Sequence, residues 1–176
     1  MQTDYIISIR AKDRVGIVSD IASTIRDLGG NIDDSRQSVL RGYFTMILLA
    51  SFPPDIEINT IQNTIASDEL HVGINTAEPD QPNDRPLGQY VLTARGTDRI
   101  GLVADVAGFC TQNKINILDL RTLAHRGDYI MMCFVDLTEA EPLVTVRWNL
   151  QRFSKEHNLS TTLQHQDIFK ATNEVS

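Results

Sequence analysis

Cysteine is nearly absent from this chain: Cys110 and Cys133 are the only two among 176 residues. Two thiols are too few for a disulfide framework or a cysteine-built metal knuckle, and they suit a reducing compartment. Basic residues are also a minority, 16 Lys and Arg against 23 Asp and Glu, for a formal net charge of -7. A phosphate backbone repels so acidic a chain unless its cations gather on one face. Here they are scattered, with no basic helix, helix-turn-helix or zinc-finger pattern, so direct nucleic-acid binding is not expected. Long apolar runs are missing as well. No stretch approaches the roughly 20 residues needed to span a bilayer, and charges occur throughout the first thirty residues, where a signal peptide would need an apolar core. The chain reads as soluble and cytoplasmic, with no membrane attachment. With 41% apolar and 22% charged residues, its composition is that of a globular protein.

Catalytic patterns are scarce too. His71, His125, His157 and His165 stand far apart without metal-ligand spacing. His165-Gln166-Asp167, read as part of a last strand, would put a histidine and an aspartate on one face, but no nucleophile accompanies them. Cys110 falls on the apolar stripe of a helix and Cys133 in an apolar strand, so both read as core. There is no phosphate-binding lysine loop and no paired-carboxylate motif. The expectation is a protein that is not an enzyme, with no metal site, no catalytic residues and no cofactor.

What the chain does contain is a repeat. A gapless shift of 85 residues lays Tyr5 on Tyr90, Arg10 on Arg95, and Asp13-Arg14-Val15-Gly16 on Asp98-Arg99-Ile100-Gly101. The match runs on through Asp20 and Asp105, Asn31-Ile32 and Asn116-Ile117, Asp34 and Asp119, Arg36 and Arg121, Arg41-Gly42 and Arg126-Gly127. About a third of some 46 positions are identical, where unrelated pairing gives roughly one in fifteen. The chain is a duplicated unit. Ala77 to Gly88 holds three prolines and little that is apolar, which marks a linker. The expected organisation is a first domain at 1–77, a linker at 78–88, a second domain at 89–170 and a tail at 171–176.

Within each unit the hydrophobic period changes in a fixed order. Tyr5, Ile7 and Ile9 alternate as a strand, and Val18, Ile21, Ala22, Ile25 and Leu28 recur at helical spacing until Gly29-Gly30. Two strands follow, Ile32 to Val39 and Tyr43 to Ser51, joined by a short hairpin across Leu40-Arg41-Gly42. Ile58, Ile61 and Ile65 make a second helical stripe, and Leu70, Val72 and Ile74 a last strand. The second unit repeats this with Val103, Val106, Ala107 and Cys110, then Leu143, Val146, Leu150 and Phe153, then Leu159, Thr161 and Leu163. The order β-α-β-β-α-β predicts an α+β fold of two ferredoxin-like units, each an antiparallel four-stranded sheet with both helices on one face. Leu118 and Leu120 are expected to face the helices. Asp34, Arg36, Asp119 and Arg121 are then expected on the open face, as an ordered contact or as solvated ion pairs.

The local signal that points to a ligand is the loop between first strand and first helix. A helix start offers unpaired N–H groups and partial positive charge, and Gly16 and Gly101 let a carboxylate approach the backbone. Asn31 and Asn116, expected nearby, have a carboxamide that can donate to a carboxylate and accept from an ammonium. Asp13 and Asp98 can hold the ammonium. The same residues have a structural reading: an aspartate ahead of a helix is a preferred N-cap, and Asn31 can simply shape a turn. Arg14 and Arg99, cations at the wrong end of a helix dipole, are expected to pair with an acidic neighbour.

These loops, Asp13-Arg14-Val15-Gly16-Ile17-Val18 and Asp98-Arg99-Ile100-Gly101-Leu102-Val103, each followed by a helix and then Asn-Ile, resemble the ACT domain, an amino-acid-sensing module. Two such units with nothing attached resemble the glycine cleavage system transcriptional repressor family. The resemblance implies sites at interfaces between units, with Asp13, Gly16, Ile17 and Asn31 at one and Asp98, Gly101, Leu102 and Asn116 at the other. It implies a small amino acid, glycine or serine, as ligand, a protein partner such as a transcription factor, and regulation of glycine and one-carbon gene expression. The open sheet faces and edge strands suggest a homodimer. The competing reading is a ligand-free ACT module that docks and regulates an enzyme of amino-acid metabolism. The units differ before the asparagine, Gly29-Gly30 against Lys114-Ile115, so the two pockets need not be equivalent.

Overall fold

The computed structural model describes residues 2–78, 90–125 and 127–173. Most of the expected linker, position 126 of the second hairpin and the last three residues lie outside them. Contacts cluster into two compact units, Met1–Pro82 and Asn83–Ser176. The first contains β1 (Thr3–Lys12), α1 (Ile17–Asp27), β2 (Asn31–Leu40), β3 (Tyr43–Phe52), α2 (Ile58–Ile65) and β4 (His71–Thr76). The second contains β5 (Tyr90–Thr97), α3 (Leu102–Gln112), β6 (Asn116–His125), β7 (Asp128–Asp136), α4 (Leu143–His157), β8 (Ser160–His165) and α5 (Gln166–Asn173). Each sheet is antiparallel and four-stranded, in the order β2-β3-β1-β4 and β6-β7-β5-β8. This is the predicted ferredoxin-like arrangement, twice.

Alternation decides which face is buried. Tyr5, Ile7, Ile9 and Ala11 of β1 pack with Phe44, Met46, Leu48, Ala50 and Phe52 of β3 beneath the helices. From α1 the core receives Ile17, Ile21 and Ile25, and from α2 Ile61 and Ile65. Each such side chain stabilises by about 1.5–3 kcal/mol on leaving water. Val18 and Val103, expected on the core stripe, are 38% and 41% exposed. The inward stripe instead runs through Ile17, Ile21 and Ile25, and through Leu102, Val106 and Phe109, which turns Val18 and Val103 toward its edge.

In both units a β-bulge interrupts the pairing of the second strand, leaving Asp33 and Leu118 without a partner opposite. Leu118 is therefore the extra residue of the bulge and does not sit in the regular alternation. Leu120 pairs with buried Cys133 on the helix side, as expected. Asp119 and Arg121 pair with Phe134 and Met132 on the other face, and Asp34 and Arg36 with Leu49 and Ile47. Asp119 and Arg121 form an exposed ion pair at 3.2 Å; no such pair joins Asp34 and Arg36 among the described residues.

The two open faces are treated differently. Strand β8 ends at His165 and the chain turns into α5, so Asp167 lies in a helix and not on a strand beside His165, although the two side chains still meet at 3.3 Å. Helix α5 runs against β5 and β8. Its Phe169 meets Phe134 edge-on with ring centroids 6.4 Å apart, and Val91, on the face away from α3 and α4, is wholly buried. In the first unit the same face carries Tyr43 and Ile47, 54% and 50% exposed.

The sequence difference at the helix ends has a packing cause. Gly29 and Lys114 occupy the same left-handed cap position, at φ 75 and 55. The next amides, of Gly30 and Ile115, reach back to the carbonyls of Ile25 and Cys110 at 2.9 Å, the six-to-one bond of a Schellman motif. A Cβ on Gly30 would lie 2.5 Å from the Phe52 ring. In the second unit Leu137 stands at the position of Phe52, and Ile115 fills the space. Gly30→Ala is accordingly expected to lower the stability of the intact chain by about 1–3 kcal/mol through overpacking. Lys114→Gly, which relieves a left-handed side-chain residue, should raise it by at most about 1 kcal/mol. Urea midpoints of the two variants check both signs.

Candidate functional site

Strand-to-helix junctions of the two units are built alike. The amides of Asp13 and Asp98 donate to the hairpin carbonyls of Gly42 and Gly127, both at 2.9 Å. Each loop is thereby pinned to the β2–β3 or β6–β7 turn. Gly16 and Gly101 then adopt φ 88 and 87, a left-handed conformation that costs a residue with a side chain roughly 1–2 kcal/mol. A Cβ at either glycine would meet nothing within 4 Å, so the space in front of both is open.

No side chain caps α1 or α3. Asp13 and Asp98 are exposed and leave the helix amides unsealed, so the capping reading of these aspartates is not what the structure adopts. The carbonyls of Gly16 and Gly101 accept from Asp20 and Asp105. Among the described residues no acceptor meets the N–H groups of Val18 and Ser19, or of Val103 and Ala104. These are the orphan donors of a helix start.

Arg14 and Arg99 pair with acids, as expected. Arg14 reaches Asp20 at 2.7 Å and Glu69 at 3.7 Å. Arg99 reaches Asp105 at 2.5 Å, and Asp105 also meets His157 at 3.2 Å. Each arginine thus folds across the first turn of its helix, with its charge matched by an acid and withheld from the open space before the glycine. The loop tips between them, Val15 and Ile100, are fully exposed.

Other expected site residues fall elsewhere. Ile17 and Leu102 are 4% and 2% exposed, with side chains in the two cores, so only their backbone faces the junction. Asn31 and Asn116 are exposed but are not beside the loop of their own unit. Asn31 pairs with Ser51, which lies opposite Asp4, whereas the loop follows Lys12 at the other end of β1. Eight residues of strand separate the two levels, roughly 27 Å. The expectation of adjacency is corrected by the topology: α1 carries the chain back along the sheet before β2 begins. Asn31 donates to Asp33 of the bulge at 2.7 Å. The bulge residue of the second unit is Leu118, so Asn116 has no equivalent partner there.

Both cysteines are buried in the second core, and desolvation pushes the Cys110 thiol up to about 12 and that of Cys133 to about 11. A thiol so held is a poor nucleophile at neutral pH. Among the described residues no group of three His, Cys, Asp or Glu is placed to hold a metal, and no helix is long and apolar enough to cross a membrane.

The family model for the ACT domain matches residues 3–76 and 89–164, one copy on each unit. The chain belongs to the ACT domain family and carries two ACT units in tandem. A UPF0237 protein of Methanopyrus kandleri is 33% identical over 90 residues, which is 51% of this chain and all of that protein. A UPF0237 protein of Corynebacterium diphtheriae is 43% identical over 65 residues, 36% of this chain and 73% of its own. Among solved structures, a protein of unknown function from Galdieria sulphuraria superposes with a TM-score of 0.75 at 25% identity, covering 94% of this chain and 99% of its own. A candidate glycine cleavage system transcriptional repressor shares the fold at a TM-score of 0.71 and 18% identity, covering 93% and 97%.

The Asp105 cluster has a pH signature. Its hydrogen bond from Arg99 holds the carboxyl below the ordinary carboxylate range; partial burial opposes this, and His157 adds to it. The stabilisation is complete above the unfolded carboxyl pKa of about 3.9 and is lost as pH falls through the lower folded value. Asp105→Asn should therefore lower Tm near neutrality, and the gap to the parent chain should close as pH is taken from about 5 to about 2. Thermal melts across that range measure it.

Proposed function

We propose that this protein senses a small amino acid without chemistry and regulates glycine and one-carbon gene expression through a protein partner, not by contact with DNA. The observation that carries the reading is the uncapped helix start behind a left-handed glycine, present in both units with the same hydrogen bonds and the same open space. Such a junction suits a carboxylate: two orphan amides and a helix dipole favour the anion, and Asp13 or Asp98 can accept from the ammonium. Asn31 and Asn116 cannot serve the ligand at their own unit's loop. In a homodimer a partner protomer would supply them. The net charge of -7 supports action through a protein.

Glycine and serine are the proposed ligands. With about six heavy atoms, such a ligand gains at most about 9 kcal/mol, so its Kd is no tighter than about 0.3 μM. Regulation then requires that binding favour one of two arrangements, typically by 1–3 kcal/mol.

One observation favours a second reading. Val15 and Ile100 are each 101% exposed, and two apolar loop tips in water suit a surface that docks a protein. On that reading the loops carry no ligand, and the chain is an ACT module that regulates an enzyme of amino-acid metabolism. Calorimetric titration of the intact chain with the twenty amino acids separates the two. Heat from glycine or serine is expected, weakened about tenfold or more by Asn31→Ala or Asn116→Ala; no heat from any of the twenty would leave the docking module.

A further inference from the structure

The first unit carries a second concavity that the loop does not account for. It lies at the end of the sheet where β1 and β4 meet the turn before β4, with a volume of about 590 Å³, within the range of small-ligand sites. Its polar walls are Arg10, Lys12, Arg14, Tyr43, Asp68, Glu69 and His71. Register places Arg10 opposite His71 and Lys12 opposite Tyr43, so all four side chains emerge on the sheet's open face. Arg14 is matched by Asp20 and Glu69. Arg10 and His71 meet no acid among the described residues, and the Lys12 ammonium lies 5.4 Å from the centre of the Tyr43 ring.

Scattered surface cations are ordinary, and this cluster alone would mean little. The duplicate supplies the control. At the corresponding places the second unit has Arg95, Thr97, Asp128 and, opposite Arg95, Ser160. There Asp128 replaces the tyrosine and pairs with Arg95 at 3.3 Å. The second unit thus has threonine and serine where the first has Lys12 and His71, and its one remaining arginine there is neutralised. The first keeps Arg10, Lys12 and His71 beside an aromatic ring, in a protein that is acidic overall.

We propose that this cleft binds a phosphorylated small molecule bearing a planar ring, a ligand distinct from the amino acid of the loops. A carboxylate is satisfied by one arginine fork. Arg10, Lys12 and His71 converging on one cleft match the three terminal oxygens and the charge of a phosphate monoester. Tyr43, 54% exposed, offers a ring face for stacking. The Asp68 carboxylate has no partner among the described residues and can accept from a hydroxyl of the ligand.

Calorimetry on the intact chain at low salt, with AMP, ribose 5-phosphate and adenosine as probes, tests this. AMP and ribose 5-phosphate should bind, AMP more tightly, and adenosine should give no heat. Arg10→Ala should weaken both phosphates about tenfold, and Tyr43→Leu should weaken AMP while leaving ribose 5-phosphate unchanged. Both residues are exposed, so the variants should fold, and coincident thermal melts confirm it. Absence of heat from both phosphates, or AMP binding equal in the parent and Arg10→Ala, would overturn the proposal. The amino-acid reading fails separately: Arg10→Ala leaves any glycine or serine heat unchanged, and AMP is scored whether or not an amino acid binds.

Discussion

Each unit turns from its first strand into its first helix through one left-handed corner. The amide at the strand's end is bound to the hairpin carbonyl, and the next turn can close only if a residue takes φ near +88. Glycine does this without a Cβ clash, which places the helix start over the sheet with its first amides bare. The arginine folded across the first turn follows from that geometry, as does the buried isoleucine or leucine at the first helical position. So does the open space before the glycine. In both copies this corner holds the fold's main helix in place and leaves the surface on which the functional reading rests.

Duplication makes the molecule its own control. Where both copies keep a feature, as with the left-handed glycine, the Arg14–Asp20 and Arg99–Asp105 pairs and the bulge, the shared backbone accounts for it. Where they differ, the reason is local. Phe52 fills in one unit what Ile115 fills in the other, so a glycine is required beside the ring. An aspartate silences Arg95, while a tyrosine leaves Arg10 free of acid. Helix α5 buries Val91 on a sheet face that the first unit leaves with Tyr43 and Ile47 half-exposed.

Much of this was legible in the chain. Period-two and helical stripes marked the strands and helices, because each element buries a single face. The repeat, the hairpin turns and the pairing of Arg14 and Arg99 with acids could be read as well. Other features were not. An asparagine next to a helix in sequence lies at the far end of the sheet in space, since the helix carries the chain back along the sheet before β2 begins. Val18 and Ile17 are neighbours, yet a step of one residue turns about 100° around the helix and exchanges core for solvent. The cleft of Arg10, Lys12 and His71 draws on β1, β3, β4 and a turn, and no spacing along the chain announces it.

Local order alone therefore determined that this protein is two β-α-β-β-α-β units with glycine-opened helix starts, because periodicity and turn chemistry act over a few residues. Which residues share a site was decided only by the tertiary structure. Strand register and helix direction bring distant positions together and carry near ones apart, and neither is encoded in any short window of the chain.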